Sequence, residues 1–261
     1  MGTIAKALEL LDLFTRAQPL IGLSELSRLA KLNKATCYRM VTELADFGLV
    51  EQVGSSREYR LGPAVLRLSA LREAQVPTRD AAMPVLYALA QSTGETAHLS
   101  LLTGQLLRPL AFAYSARHIT KVTMEDTTNL PFHATSSGLA VLAFQPNAFQ
   151  DAVLSAPLAK LTGHTETNRS ALRVRLGQIR HHGIAHSIGG YEAEVNSMAV
   201  PLFDALGLCS GAVAVAAVGS RMTEAQRGLI QTALIRAGSK ITALWGGSVP
   251  AEVALLWQTV A

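Results

Sequence analysis

The chain has 261 residues, 49% of them hydrophobic and 16% charged, with a formal net charge of +4. That length and apolar content specify one large or two modest domains with a packed core, and exclude a disordered chain. Two cysteines far apart in sequence, Cys37 and Cys209, make neither a disulfide framework nor a zinc site, and point to a reducing cytoplasm.

The N-terminal segment MGTIAKALELLDLF is interrupted by Glu9 and Asp12 at helical spacing, so it reads as a helix and not as a signal peptide. The longest apolar run, Gly211 to Gly219, is too short to span a bilayer. Residues 1–72 hold 10 Lys and Arg against 7 Asp and Glu. The first quarter of the chain therefore carries most of the positive excess, which fits contact with nucleic acid without establishing it.

In chain order, residues 3–16 read as a helix, because Ile4, Ala7, Leu8, Leu11 and Phe14 form one stripe; Gln18-Pro19 ends it. A second helix spans about Ser24 to Ala30, with Ser24 and Glu25 at its start. Lys31-Leu32-Asn33 make a turn, and Asn33 caps a third helix that runs to about Phe47 and stops at Gly48. Leu49–Val53 and Glu58–Leu61 read as two strands about the turn Gly54-Ser55-Ser56. A helix from Pro63 to Glu73, broken by Pro77, reads as a linker between domains.

The rest of the chain predicts helices at Arg79–Ser92, Ser136–Phe144, Asn147–Leu154, Arg169–His182 and Thr223–Leu244. Strands are predicted at Thr96–Leu102, Gln105–Tyr114, Ile119–Met124, Ile184–Ser187, Asn196–Phe203 and Leu208–Val218, with a loop at Thr127–His133. Hairpin strands with helices before, between and after them give an α+β domain on a largely antiparallel sheet.

On a helical wheel the third helix gathers Cys37, Met40, Val41 and Leu44 in one arc and Ala35, Tyr38, Arg39 and Thr42 on the opposite side. A polar outer face is the commonest state of a surface helix. Here, however, a helix and a three-residue turn precede it at helix-turn-helix spacing, and the hairpin after it carries Arg57 and Arg60 where a wing would. In a winged module the second helix of the pair enters the major groove, which is about 12 Å wide, and the wing touches the backbone. Ala35, Thr36, Tyr38, Arg39 and Thr42 are therefore the candidate DNA-facing set, with Lys34, Arg57 and Arg60 on phosphates. Arg39 either pairs bidentately with guanine or holds a phosphate. Cys37 lies on the packing arc and is assigned to the core.

The run GLSELSRLAKLNKATCYRMVTEL, followed by GLV and YRLG, resembles the N-terminal domain of the IclR-type bacterial transcriptional regulators. Thr93–Leu99, Leu130–Ala140, Met198–Asp204 and Ser220–Thr223 continue the resemblance in the expected order, over about residues 3–246. It implies a winged helix-turn-helix over 1–61, a linker helix over 62–76, a GAF-like effector-binding domain with an antiparallel sheet over 77–247 and a C-terminal tail over 248–261. It also implies a repressor or an activator of a catabolic operon, acting on double-stranded operator DNA as a homodimer or a dimer of dimers.

Thr135, Ser136 and Ser137 crowd the start of a helix, where free N–H groups and short hydroxyls suit a carboxylate or carbonyl oxygen or merely cap the helix. The resemblance favours a ligand site there and includes Gly138, Ser187, Ser197, Ala214 and Ala216. The sequence departs from the family pattern at Ser187-Ile188-Gly189-Gly190-Tyr191-Glu192, where many members carry an acidic run. Ser197 stands where a pocket Cys is frequent, and Ala214 and Ala216 stand where sensors of small acids have serines. The expected effector thus has an apolar portion: an aromatic or longer-chain acid, a semialdehyde or a lactone. His181, His182 and His186 are not expected to bind metal, since Gly183 interrupts the spacing, and His133 is expected to orient the pocket loop. A hydrolase using the Ser and His of such a pocket is the remote rival. It lacks a G-x-S-x-G elbow, a Gly-rich phosphate loop and zinc spacing, and neither enzyme activity nor a cofactor is expected.

Overall fold

The computed structural model describes residues 2–15, 17–54, 56–124 and 129–258, and the chain separates into two units, residues 1–77 and 78–261. Arg16 of the expected first helix, Ser55 of the expected turn and Thr127 and Thr128 of the expected loop lie outside the described residues.

The first unit contains α1 (Thr3–Glu9), β1 (Ile21–Gly22), α2 (Leu23–Leu29), α3 (Lys34–Asp46), β2 (Val50–Gln52), β3 (Glu58–Leu61) and α4 (Pro63–Gln75). The strands form an antiparallel sheet in the order β1-β3-β2. Leu10, Ile21, Leu26, Val50 and Tyr59 close a core with the buried arc of α3, namely Cys37, Met40, Val41 and Leu44. The first helix is shorter than its apolar stripe suggests. It gives way to a 3₁₀ turn at Leu11–Leu13, and Thr15 and Gln18 then exchange backbone hydrogen bonds in a tight turn of their own. Strand β1 was not anticipated, because two residues are too few for a period; Ile21 and Gly22 pair with Tyr59 and Glu58.

The second unit contains α5 (Thr78–Thr93), β4 (Thr96–Thr103), β5 (Leu106–Ala113), α6 (Ser136–Ala143), α7 (Asn147–Ser155), α8 (Arg169–His182), β6 (Ala185–Ile188), β7 (Val195–Phe203), β8 (Cys209–Val218), α9 (Glu224–Leu244) and α10 (Ala251–Gln258). Its sheet is antiparallel throughout, in the order β5-β4-β8-β7-β6. Strand period two sorts the side chains. Val200 packs toward Gly238 of α9, with Met198, Val213 and Val215 sharing its face. His98, Ala214, Ala216, Ser197 and Ser187 share the opposite face, toward α6. A bidentate pair of Arg221 with the buried carboxylate of Glu95, at 2.6 and 2.7 Å, ties the chain before β4 to the chain after β8.

Two segments differ from expectation. Ile119–Met124 forms no strand. Side chains hold it instead of a ladder: the Thr96 hydroxyl donates to the Val122 carbonyl at 2.6 Å, and the Met124 N–H donates to the Tyr114 hydroxyl at 3.1 Å. The stretch expected to be a tail forms α10, whose Val253 and Trp257 are buried in the core of this unit. Trp257 Nε1 donates to the Gly183 carbonyl at 3.0 Å. Gly183 has φ +73°, and a Cβ there would lie 2.6 Å from the indole nitrogen, so glycine both ends α8 and admits the Trp.

Candidate functional site

Asn33 starts α3 by accepting the Thr36 N–H on its Oδ1 at 2.8 Å. With the apolar arc turned inward, Lys34, Ala35, Tyr38, Arg39 and Thr42 stand exposed on the other side, and Thr36 is half-buried. Tyr38 is 53% exposed, which is high for a large aromatic ring. Arg39 makes no ion pair among the described residues, so its charge is available to a phosphate or a base edge. The Thr42 hydroxyl donates to the Tyr38 carbonyl at 2.9 Å and retains only its acceptor capacity. On the hairpin, Arg60 faces Glu51 across the ladder and pairs with it at 2.6 Å. Arg57 sits at the start of the returning strand with φ +59° and carries no ion pair among the described residues.

The second unit holds a cavity of about 400 Å³ between the start of α6 and the sheet. Of the expected effector residues, Thr135, Ser136, Ser187, Ser197 and Ala216 line it. Ser137, Gly138 and Ala214 do not; all three are buried beside it. Gly138 is there for packing, since a Cβ would come within 2.4 Å of the Pro131 carbonyl oxygen. The apolar wall is Val122, Met124, Leu130, Val195 and Ala216, while Thr123, Tyr191 and Glu192 supply further polar groups. Among the described residues, neither Lys nor Arg lines it. Thr162 and Thr165 donate to the carbonyls of Gly189 and Gly190 at 2.6 and 2.7 Å, holding the loop that presents Tyr191 and Glu192.

Polar groups concentrate at the α6 end. Thr135 Oγ1 accepts from the Gly138 N–H at 2.9 Å and donates to the Pro131 carbonyl at 3.0 Å. The backbone N–H groups of Ser136 and Ser137 have no partner among the described residues. Ser187 donates its hydroxyl to the Ala134 carbonyl at 2.6 Å, so toward a ligand it can only accept.

His98 also borders the cavity and was missed in the sequence, where a single His in a strand carries no periodic signal. It is only 5% exposed, and its Nε2 lies 3.1 Å from Ser137 Oγ. Burial pushes its pKa down to about 4, so the ring is neutral at physiological pH. His186, on the opposite face of the sheet, is also pushed down, by burial and then by Arg227, Arg175 and His182. No group of three His, Cys, Asp or Glu side chains is placed to hold a metal among the described residues. His133 Nε2 lies 2.9 Å from the Ala159 carbonyl and fixes the loop before α6.

A winged helix-turn-helix on one chain with a cavity of ligand size defines a DNA-binding regulator that carries an effector domain. Residues 70–243 match the family described as bacterial transcriptional regulator IclR, C-terminal, and residues 3–54 match the IclR helix-turn-helix domain. The chain belongs to the IclR family of transcriptional regulators. A crystal structure from Silicibacter sp. TM1040, assigned to the IclR regulators, superposes with a TM-score of 0.86 at 53% identity, covering 97% of this chain and 99% of that one. The transcriptional regulator TtgV of Pseudomonas putida is 31% identical over 216 residues, 83% of this chain and 81% of its own. An IclR homologue from Microbacterium hydrocarbonoxydans, solved in complex with 4-hydroxybenzoate, shares the fold with a TM-score of 0.55 at 23% identity, covering 93% of this chain and all of its own (100%). The family and its named relatives are regulators, not enzymes.

The depressed pKa of His98 makes a pH prediction. The unfolded chain takes up this proton near pH 6.5 and the folded chain only near 4. The contribution is intact above pH 6.5 and is lost as the pH falls through that window. Urea unfolding of the wild type should therefore weaken by up to about 3 kcal/mol more than that of His98→Leu between pH 6.5 and 4. Parallel pH profiles for the two proteins would show that His98 is not held neutral.

Proposed function

We propose that the protein is a repressor of a catabolic operon, whose affinity for double-stranded operator DNA is set by a small organic acid with an apolar portion bound in the second unit. An activator of the same architecture is the alternative. The observation that carries the effector reading is the division of the cavity. The N–H donor of Ser136, without a partner among the described residues, stands at one end, and Val122, Met124, Leu130, Val195 and Ala216 form the wall. Its volume of about 400 Å³ lies within the usual range for small-molecule sites and exceeds the needs of a three-carbon keto acid. The effector class comprises aromatic or longer-chain carboxylates, semialdehydes and lactones. The 4-hydroxybenzoate complex of the Microbacterium homologue supports the aromatic acids among them.

At the DNA, Ala35, Thr36, Tyr38, Arg39 and Thr42 form the reading face, and Lys34, Arg57 and Arg60 hold phosphates. The ion pair with Glu51 reduces the charge that Arg60 brings to the backbone. The working form is a homodimer, associating further as a dimer of dimers. Ile4 and Leu8 of α1 and Leu66, Leu68 and Leu71 of α4 are exposed apolar side chains on a unit of only 77 residues, and a second copy would cover them. A regulator that binds operator DNA works in the cytoplasm.

Arg39→Ala separates the two roles of that side chain. Loss of base reading lowers affinity by roughly 1–3 kcal/mol at one operator position and relaxes preference there. Loss of a phosphate contact weakens all sequences and flattens the salt slope by about one unit. Mobility shifts over operator variants and salt decide between them, and wild-type binding would remove Arg39 from the face. In a thermal-shift panel, an acid at a hundred times its dissociation constant should add about 2.7 kcal/mol. A response confined to glyoxylate and pyruvate sinks the apolar-effector reading. Reporter assays with the responding acid give the sign of regulation. Leu68→Glu with Leu71→Glu should move the sedimentation of the protein from dimer to monomer; an unchanged dimer would place the interface elsewhere.

A further inference from the structure

We infer that His98 is the side chain by which this cavity reads a carboxylate: its Nδ1–H donates to one oxygen of the bound acid, and Ser137 holds the ring and sets its tautomer. This rests on the preceding reading that the cavity takes an organic acid.

Buried polar atoms are almost always paired. Among the described residues, His98 Nδ1 is the buried side-chain nitrogen or oxygen with no hydrogen-bond partner. It belongs to a ring that borders the cavity and is otherwise enclosed. A histidine kept only for packing would have both nitrogens satisfied or would be replaced by an apolar side chain of similar size. A donor held ready for an incoming acceptor accounts for the orphan.

The direction of the second bond follows from counting hydrogens. Among the described residues, Ser137 Oγ has no partner other than His98 Nε2, 3.1 Å away. If Ser137 donates to Nε2, the proton of the neutral ring sits on Nδ1 and one group is left unmet. If Nε2 donates to Ser137, both the serine hydrogen and the Nδ1 lone pair are left unmet. Each unmet buried group is costly, so the first arrangement prevails. Nδ1 is then a donor.

Ser137 also places this donor. Its hydroxyl holds the ring, and its backbone N–H, like that of Ser136, has no partner among the described residues at the start of α6. His98 and the helix start thus border the same end of the cavity. The free donors at that end suit a group that only accepts, although Ser187 and the Glu192 carboxylate also line the cavity as acceptors; among the described residues no Lys or Arg lines it. A carboxylate has that character, whereas a primary amide brings hydrogens of its own.

The test uses full-length protein, 4-hydroxybenzoate and its isosteric amide, 4-hydroxybenzamide, as calorimetric probes, and the double variant His98→Leu with Ser137→Ala. The nitrogen-15 spectrum of wild-type His98 should show the Nδ1–H tautomer. The acid should bind about tenfold or more tightly than the amide, the scale of one hydrogen bond to a charged group. In the variant that ratio should fall to near one, and the unliganded variant should melt no lower than wild type, because both partners of the pair are replaced by apolar groups. An Nε2–H tautomer, an unchanged ratio, or a variant that melts much lower overturns the role of His98. If neither probe binds the wild type, the proposed effector class fails instead, and the tautomer and melting temperature still decide on His98.

Discussion

The seating of α6 on the sheet is the constraint from which the cavity of the second unit follows. All eight residues of this helix are buried, so it has no wet face. Gly138 brings its first turn against the backbone of Pro131 and Phe132, closer than any Cβ would permit. A helix start must nevertheless satisfy its free N–H groups. Thr135 caps one of them, at Gly138. Those of Ser136 and Ser137 have no partner among the described residues, and Ser136 lines the space bounded by the sheet. The polar end of the cavity is thus set by where α6 begins and how deeply it is packed, and Ser137 extends that end to His98 on β4.

The first unit obeys a comparable logic with the faces reversed. Its small core takes up one side of α3, and the cap at Asn33 fixes where that helix begins, hence which residues are left outside. Tyr38, Arg39 and Thr42 are exposed because Cys37, Met40, Val41 and Leu44 are not. In recognition of a duplex, phosphate contacts position and base contacts specify. A hairpin whose Arg60 is already paired with Glu51 suits positioning; a helix whose Arg39 makes no ion pair among the described residues suits reading.

Much of this was legible in the sequence, for reasons that mark its limits. The strong stripe and cap signals placed α3, α8 and α9, and the long apolar strands β7 and β8, to within a residue or two. Segments below the length of a period were not legible. Strand β1 has two residues, and the segment 119–124 has the composition of a strand but is held by Thr96 and Tyr114 rather than by a ladder. Nor does local pattern reveal that Trp257 reaches Gly183 and turns the C-terminal stretch into a docked helix. At the cavity, the crowding of Thr135, Ser136 and Ser137 marked the helix start. Alternation alone could not say how far along β8 the space extends. It reaches Ala216 but not Ala214, which is fully buried opposite His98 in the ladder. His98 itself was one His in an apolar strand, and its role depends on Ser137, 39 residues away.

A regulator needs more than an occupied cavity, since a ligand shifts an equilibrium only by the difference in its affinity for the two states. Typical coupling amounts to about 1–3 kcal/mol, a small part of the free energy with which a small acid binds. The apolar wall is poorly suited to supply that difference, because contacts with Val122, Leu130 and Val195 are non-directional and tolerate small displacements. Hydrogen bonds weaken steeply once distance and angle depart from ideal. The donors at the start of α6, and His98 held by Ser137, are fixed to two different elements, a helix and a strand. A carboxylate gripping both is sensitive to their relative position in a way that the wall is not. If the cavity takes an acid as proposed, affinity resides largely in the wall, and the capacity to switch in the few polar atoms at the opposite end.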